Sequence, residues 1–384
     1  MDTLLMQSYK KHTIYKITIL LLFIYSMYPW FALDINALYV SFLGFCVSFY
    51  YRNYYKALFY KTIRLYVVVL GMLYLWVALH SSFFGVLNFF FCFYIISSLI
   101  LTKEDFKIEL FRFITKWFSL FLLVSAIFFI LFYIGVPLPH TSLYFPSLHY
   151  YFDNYYFFVV QDYETIHRFR SVFGEPGHLT QGLILLLVGN QLNLKDKYVL
   201  FLFIAQILTF SLAGYICLFV AYSLFSIIRK NSFKTIIFSV SILTGIIYMF
   251  VSLSENSYLY NIIGYRFSPE YAETRNARTT EYTDLIFSNF SHSLSFLWGL
   301  DNKKLEMIDG SGYKVYLMNY GLIGGLLTVL FYWLYTRTSK CKLCLVLFII
   351  CMLEQYQGAS SLWFCVLIGY ILSINNLNKL NNYK

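Results

Sequence analysis

Residues 83–136 decide the fold: FFGVLNFFFCFYIISSLIL (83–101), TKEDFKIELFRFITK (102–116), WFSLFLLVSAIFFILFYIGV (117–136). The outer two blocks contain no Asp, Glu, Lys or Arg. Each is long enough, at about 1.5 Å per helical residue, to cross a hydrocarbon core of about 30 Å. The middle block gathers Lys103, Lys107, Arg112 and Lys116. An amphipathic helix of a water-soluble protein turns a polar face to solvent and so alternates at its own period. The outer blocks do not alternate, and they read as two membrane crossings joined by a basic turn.

Working outward, similar apolar runs of about 17 to 22 residues recur. Reading runs and gaps together predicts twelve crossings: 16–33, 35–50, 63–80, 83–101, 117–136, 179–194, 198–212, 214–229, 235–253, 315–336, 342–357 and 360–375. The composition agrees, being 59% hydrophobic and 12% charged, about half the charge fraction of a soluble domain. No small-residue cleavage site follows the first run, so no removable signal peptide is expected. The reading is an all-α polytopic membrane protein, one integral membrane domain over 1–384 with two large loops at 137–178 and 254–314. The seven cysteines fall in spans or at their edges, which argues against a disulfide framework. Cys341 and Cys344 form a lone C-x-x-C with no second pair to complete a zinc site, and no metal is expected.

Charge bias orients the chain. With the N-terminus in the cytoplasm, 21 of the 29 Lys and Arg fall in internal segments. The short external turns near Pro29–Asp34, Ser81–Gly85, Ser211–Gly214 and Gln355–Ser361 carry none. This positive-inside pattern predicts cytoplasmic termini. The other eight are Arg168, Arg170, Arg266, Arg275, Arg278, Lys303, Lys304 and Lys314, all in the two large loops. Lys outnumbers Arg inside by 16 to 5, and Arg outnumbers Lys outside by 5 to 3. The planar Arg fork suits bidentate phosphate or carboxylate recognition. Six of the seven His, all six Pro and fourteen of the nineteen acidic residues also fall outside. Irregular polar backbone belongs where it meets water, so the working surface is read as external.

The most informative stretch is Arg168-Phe-Arg170-Ser-Val-Phe-Gly174-Glu175-Pro176-Gly177-His178, running into a span. Pro176 suits a first helical turn, and Glu175 sits where the helix dipole favours a carboxylate. Two arginines beside a helix N-terminus make an anion site; the alternative is that Glu175-Pro176 caps the helix and pairs with Arg170. In the second loop, Arg275, Arg278 and Glu281 are three apart and would share a helix face, either as a binding surface or as a solvated ion-paired helix. Gly321 and Gly325 form a G-x-x-x-G, read as close helix packing. The aromatic run around Tyr144–Phe158 is read mainly as an interfacial belt, with sugar stacking the alternative. Phosphate loops, D-x-D, H-E-x-x-H and G-x-S-x-G are missing from the sequence.

Taken together, the chain resembles the O-antigen polymerase (Wzy) family. Three pieces carry the resemblance: Arg170-x-x-x-Gly174-Glu175-Pro176-Gly177-His178, Arg278 ahead of Trp298-Gly299-Leu300, and Gly312-Tyr313 with Asn319-Tyr320-Gly321-Leu322-Ile323-Gly324. The resemblance implies residence in the bacterial inner membrane and polymerisation of undecaprenyl-pyrophosphate-linked oligosaccharide repeat units on its periplasmic face. It implies Arg170 and Arg278 as pyrophosphate ligands, with Arg168, Arg266 and Arg275 behind them. Glu175 is the candidate base or Arg-orienting carboxylate, and His178 its alternative. No cofactor, metal or nucleotide sugar is implied, no nucleic acid is expected as a partner, and there is room for a chain-length regulator. O-antigen ligase is the nearest alternative. Its pattern places a His just before the tenth-span glycines, where this chain reads Asp309-Gly310-Ser311-Gly312-Tyr313. A polysaccharide flippase is a further alternative, expected to have shorter loops and basic groups within its spans.

Overall fold

The computed structural model describes residues 2–32, 35–51, 61–102, 104–145, 150–161, 167–190, 192–211, 214–220, 222, 281–300 and 313–338. The described chain is mostly helical: α1 (Asp2–Tyr25), α2 (Ala37–Tyr50), α3 (Lys61–Leu79), α4 (Phe83–Leu101), α5 (Glu104–Tyr133), then after a small sheet α6 (Pro176–Gly189), α7 (Lys197–Leu208), α8 (Glu281–Ser291), α9 (Ser295–Trp298) and α10 (Tyr313–Thr338). Among the described residues, Phe83–Leu101, Phe106–Tyr133 and Tyr313–Phe331 are long and apolar enough to cross a membrane. Five shorter apolar helices occupy Thr13–Tyr25, Ala37–Tyr50, Val67–Leu79, Pro176–Gly189 and Lys197–Leu208. These eight coincide with the expected crossings one to seven and ten. The fifth begins earlier than expected, because α5 runs unbroken through the basic turn. Crossings 235–253, 342–357 and 360–375, and most of 214–229, lie outside the described residues.

Packing identifies the solvent these helices were built for. Among the described side chains of α3 the exposed positions are Leu65, Val68, Met72, Leu75 and Leu79, an apolar stripe at helical spacing facing outward. Helix α2 is the inverse of a soluble helix: it buries Ser41, Gly44 and Ser48 and exposes Tyr39, Phe42 and Leu43. Small residues at i, i+3 and i+7 let helices approach closely, the usual device when lipid is as apolar as the side chains. At Gly44 an added Cβ would come within 2.8 Å of Leu22 and 2.9 Å of Ile95. Water does not tolerate apolar stripes of this extent on a monomer. The helices define an integral membrane protein.

Polar contacts join segments far apart in sequence. The Trp30 N–H donates to the Val172 carbonyl at 2.9 Å, and Pro29 bridges Phe173. The Phe169 N–H donates to the Leu208 carbonyl at 3.1 Å. Lys16 of α1 pairs with Glu109 of α5, and Asn190, at the end of α6, donates to Thr115 of α5 at 3.1 Å.

The first large loop differs from the all-α expectation. It holds an antiparallel sheet of order β1 (Thr141–Phe145), β2 (Tyr150–Asn154), β3 (Val159–Gln161), with Tyr144 opposite Tyr151 and Asp153 opposite both Ser142 and Val160. The run read as an interfacial belt is a set of strands because alternate positions are buried: Phe152 and Asn154 face inward, while Tyr151 is exposed. Trp30 and Leu143 pack on Phe152 and Val159.

Candidate functional site

Glu175 is the residue immediately before α6, with extended backbone (φ −129°, ψ 146°) as the following proline requires. Pro176 opens the helix where its missing N–H has no partner to lose. The Glu175 side chain makes no capping hydrogen bond. Its Oε2 instead lies 3.9 Å from Nε2 of His178, one turn on, with the carboxylate partly exposed and the imidazole buried. The Nδ1 atom of His178 is buried without a hydrogen-bond partner among the described residues. Burial lowers the pKa of His178; the Glu175 charge opposes that shift, and the Arg170 charge reinforces it. A neutral imidazole with a carboxylate beside it can accept a proton, which is the requirement for a base at this position.

Arg170 is 2% exposed. The chain turns tightly over 170–173, with the Phe173 N–H donating to the Arg170 carbonyl at 3.1 Å and Ser171 at φ 52°. The guanidinium Nη1 donates to the Gly174 carbonyl at 3.0 Å and faces Gln161 Oε1 at 3.4 Å, and the group lies 5.3 Å from the centre of the Phe152 ring. Sheet and helix start are thereby locked together, and the charge sits behind Glu175 and His178 rather than on the open surface. Arg168 is half-buried two residues earlier. Arg266, Arg275 and Arg278 lie outside the described residues.

A second constellation joins the other pieces of the resemblance. Trp298-Gly299-Leu300 lies backbone to backbone on Asn319-Tyr320-Gly321, and the Leu300 N–H donates to the Met318 carbonyl at 2.7 Å. Gly299 (φ 98°) and Gly321 (φ 65°, ψ −178°) adopt conformations closed to other residues, and Gly321 kinks α10. The reading of Gly321 and Gly325 as a helix-packing stripe is therefore corrected for Gly321, whose close neighbours are Leu297 and Gly299. Gly324, not Gly325, faces α3, with Trp76 3.2 Å from an added Cβ. Trp76 also stacks on Trp298 at 5.5 Å and donates to the Tyr320 carbonyl at 2.8 Å. The two ring nitrogens of His80 lie 2.9 Å from the Trp76 carbonyl and 2.6 Å from the Trp298 carbonyl.

Tyr28 lies against the first constellation, and the sequence reading missed it. Its ring centre is 5.8 Å from that of His178. Tyr28 holds a left-handed φ of 56° just before Pro29, strain of the kind that gathers at functional sites. Nothing in the Tyr-Pro dipeptide announces this. Gln161, which ends β3 and faces the Arg170 guanidinium, was not singled out in the sequence either.

The site is thus a carboxylate–imidazole pair at a helix start, backed by a buried arginine and faced by Tyr28, in a helical membrane protein that also carries a glycine-built joint between Trp298-Gly299 and Tyr320-Gly321. No family model, curated protein or solved structure matches the chain.

Proposed function

We propose that this protein is a bacterial inner-membrane polymerase of undecaprenyl-pyrophosphate-linked glycan repeat units, with twelve crossings, cytoplasmic termini and its site on the periplasmic face. The observation that supports the reading is the meeting of motif pieces apart in sequence: Trp298-Gly299-Leu300 lies against Asn319-Tyr320-Gly321, while Arg170, Gly174, Glu175 and His178 gather at one helix start.

In this reading Glu175 takes the proton from the hydroxyl of the incoming repeat unit, with His178 as the alternative acceptor. The hydroxyl oxygen attacks the anomeric carbon of the growing chain, and the bond from that carbon to the pyrophosphate oxygen breaks. The electron pair leaves with undecaprenyl pyrophosphate, whose charge is offset by the arginines. Arg170 acts through its field and by holding Gly174, while Arg278, Arg168, Arg266 and Arg275 are the candidates for direct contact. Fixed cations aimed at a departing anion are among the largest catalytic terms available to a protein. A chain-length regulator would be a natural partner.

The lipopolysaccharide of a deletion strain tests the proposal. A polymerase defect leaves lipid A core capped by a single repeat unit with no ladder. Bare core with polymer retained on undecaprenyl pyrophosphate identifies a ligase instead. Repeat units trapped on the cytoplasmic leaflet identify a flippase, and an unchanged ladder rules out all three.

A further inference from the structure

We propose that the outward face of the β1–β2 hairpin is a glycan-binding subsite, a platform for a pyranose ring of the repeat unit; this rests on the polymerase reading for the origin of its ligand. Antiparallel register puts Ser142 opposite Asp153 and Tyr144 opposite Tyr151. Directly opposed residues share a face, so one face carries all four. The two phenol rings sit 5.0 Å apart at 47°, and Tyr144 and Tyr151 are 43% and 59% exposed. Asp153 keeps a third of its side chain exposed and lies 4.0 Å from Nε2 of the exposed His140. The opposite face is spent on the fold, since Phe152 is fully buried under Arg170.

A pyranose offers an apolar face of C–H bonds and a rim of hydroxyls. The tilted ring pair fits the first, and a carboxylate with a serine hydroxyl and an imidazole fits the second. A belt seated among lipid headgroups is the competing occupant of such tyrosines. Asp153 argues against it, because a carboxylate repels phosphate and accepts hydrogen bonds from hydroxyls. The platform is continuous with the candidate site: the Val159 N–H donates to the Ser171 carbonyl at 2.9 Å, and Phe152 lies against the Arg170 guanidinium. A chain held on the hairpin would therefore be held at a fixed distance from Glu175.

The test uses the full-length protein in nanodiscs and, as probe, lipid-free glycan released by mild acid from the surface of the host strain. Saturation of aromatic protons should transfer to sugar ring protons. Replacing both tyrosines (Tyr144→Val with Tyr151→Thr, residues that keep strand propensity) should weaken binding about tenfold or more. Tyr151→Phe, which keeps the ring, should bind nearly as wild type. Wild-type affinity in the double variant would overturn the subsite. So would quenching of the added emission of Tyr151→Trp by bilayers with brominated acyl chains, which would seat the hairpin in lipid. The two proposals fail separately. A missing ladder in the deletion strain with wild-type binding by the double variant sinks only the platform, whereas an unchanged ladder with tyrosine-dependent glycan binding sinks only the polymerase.

Discussion

Arg170 donates from Nη1 to the carbonyl of Gly174, four residues on, at 3.0 Å, and so closes the turn that delivers Glu175 and His178 to the start of α6. The bond is buried, and removing the guanidinium leaves the Gly174 carbonyl and Gln161 to find other partners. Arg170→Ala should therefore cost about 2–4 kcal/mol from lost hydrogen bonds and a cavity. It should lower protein level and melting temperature along with polymer. Arg170→Lys should recover part of the stability but not the two-sided contact. Wild-type melting of the alanine variant in detergent would remove this structural role.

Glu175→Gln separates chemistry from folding. The carboxylate makes no capping hydrogen bond and is partly exposed, so the amide should change stability by no more than about 0.5 kcal/mol. If the carboxylate takes the proton, polymerisation should fall about 10²–10⁴-fold. A normal ladder from Glu175→Gln would move the base to His178.

These two residues show how far the sequence reached. Pro176 and Glu175 announced a helix start, and the helix is there. What the sequence did not disclose is depth: Arg168 and Arg170 read alike as loop arginines, and only tertiary packing puts Arg170 under Phe152. The eight described apolar helices were legible because lipid demands long apolar runs, whereas strands of three to five residues in an aromatic loop carry a weaker signal. Gly321 was misassigned because a glycine needed for φ 65° and one needed for close packing look the same in a sequence.

His178 makes the fold acid-sensitive. Its pKa is lowered in the folded state, so below the unfolded value of about 6.5 the unfolded chain binds more protons. The stability of the neutral buried ring is fully present above about pH 6.5. It declines as pH falls from there toward the lowered folded value, with a limiting slope of about 1.4 kcal/mol per pH unit. His178→Asn should melt lower at pH 7.5 but lose less on shifting to pH 5. Parallel losses in both proteins would assign the acid response to other groups.

Topology is open to direct labelling. Ser142 is exposed on the hairpin, and Trp30 pairs with Val172 in the same end of the fold. In a cysteine-free background, Ser142→Cys should react with a membrane-impermeant maleimide in intact spheroplasts. A cysteine replacing Glu104, in the basic turn, should react only after permeabilisation. The reverse pattern would put the site in the cytoplasm and end the polymerase reading.

Gly321 and Gly325 should respond to alanine with opposite signs. At Gly321 a Cβ would lie 2.3 Å from the Leu297 carbonyl oxygen and 2.6 Å from the Gly299 nitrogen. These are backbone atoms that cannot rotate away. The positive φ with extended ψ, a region essentially confined to glycine, adds strain of about 1–3 kcal/mol for an L-residue, so the joint should separate and α10 should tend to straighten. At Gly325 an added Cβ meets Leu317 Cδ2 at 3.3 Å, the tip of a flexible side chain. There the gain in helix propensity, about 1 kcal/mol, should match or exceed the packing cost. Gly321→Ala is thus expected to melt lower and to lose polymer, because the Trp298 segment that follows the Arg278 loop is no longer seated. Gly325→Ala should melt at or above the wild-type temperature with its ladder intact. Equal destabilisation by both would restore the helix-packing reading of the G-x-x-x-G and detach the glycine joint from the site.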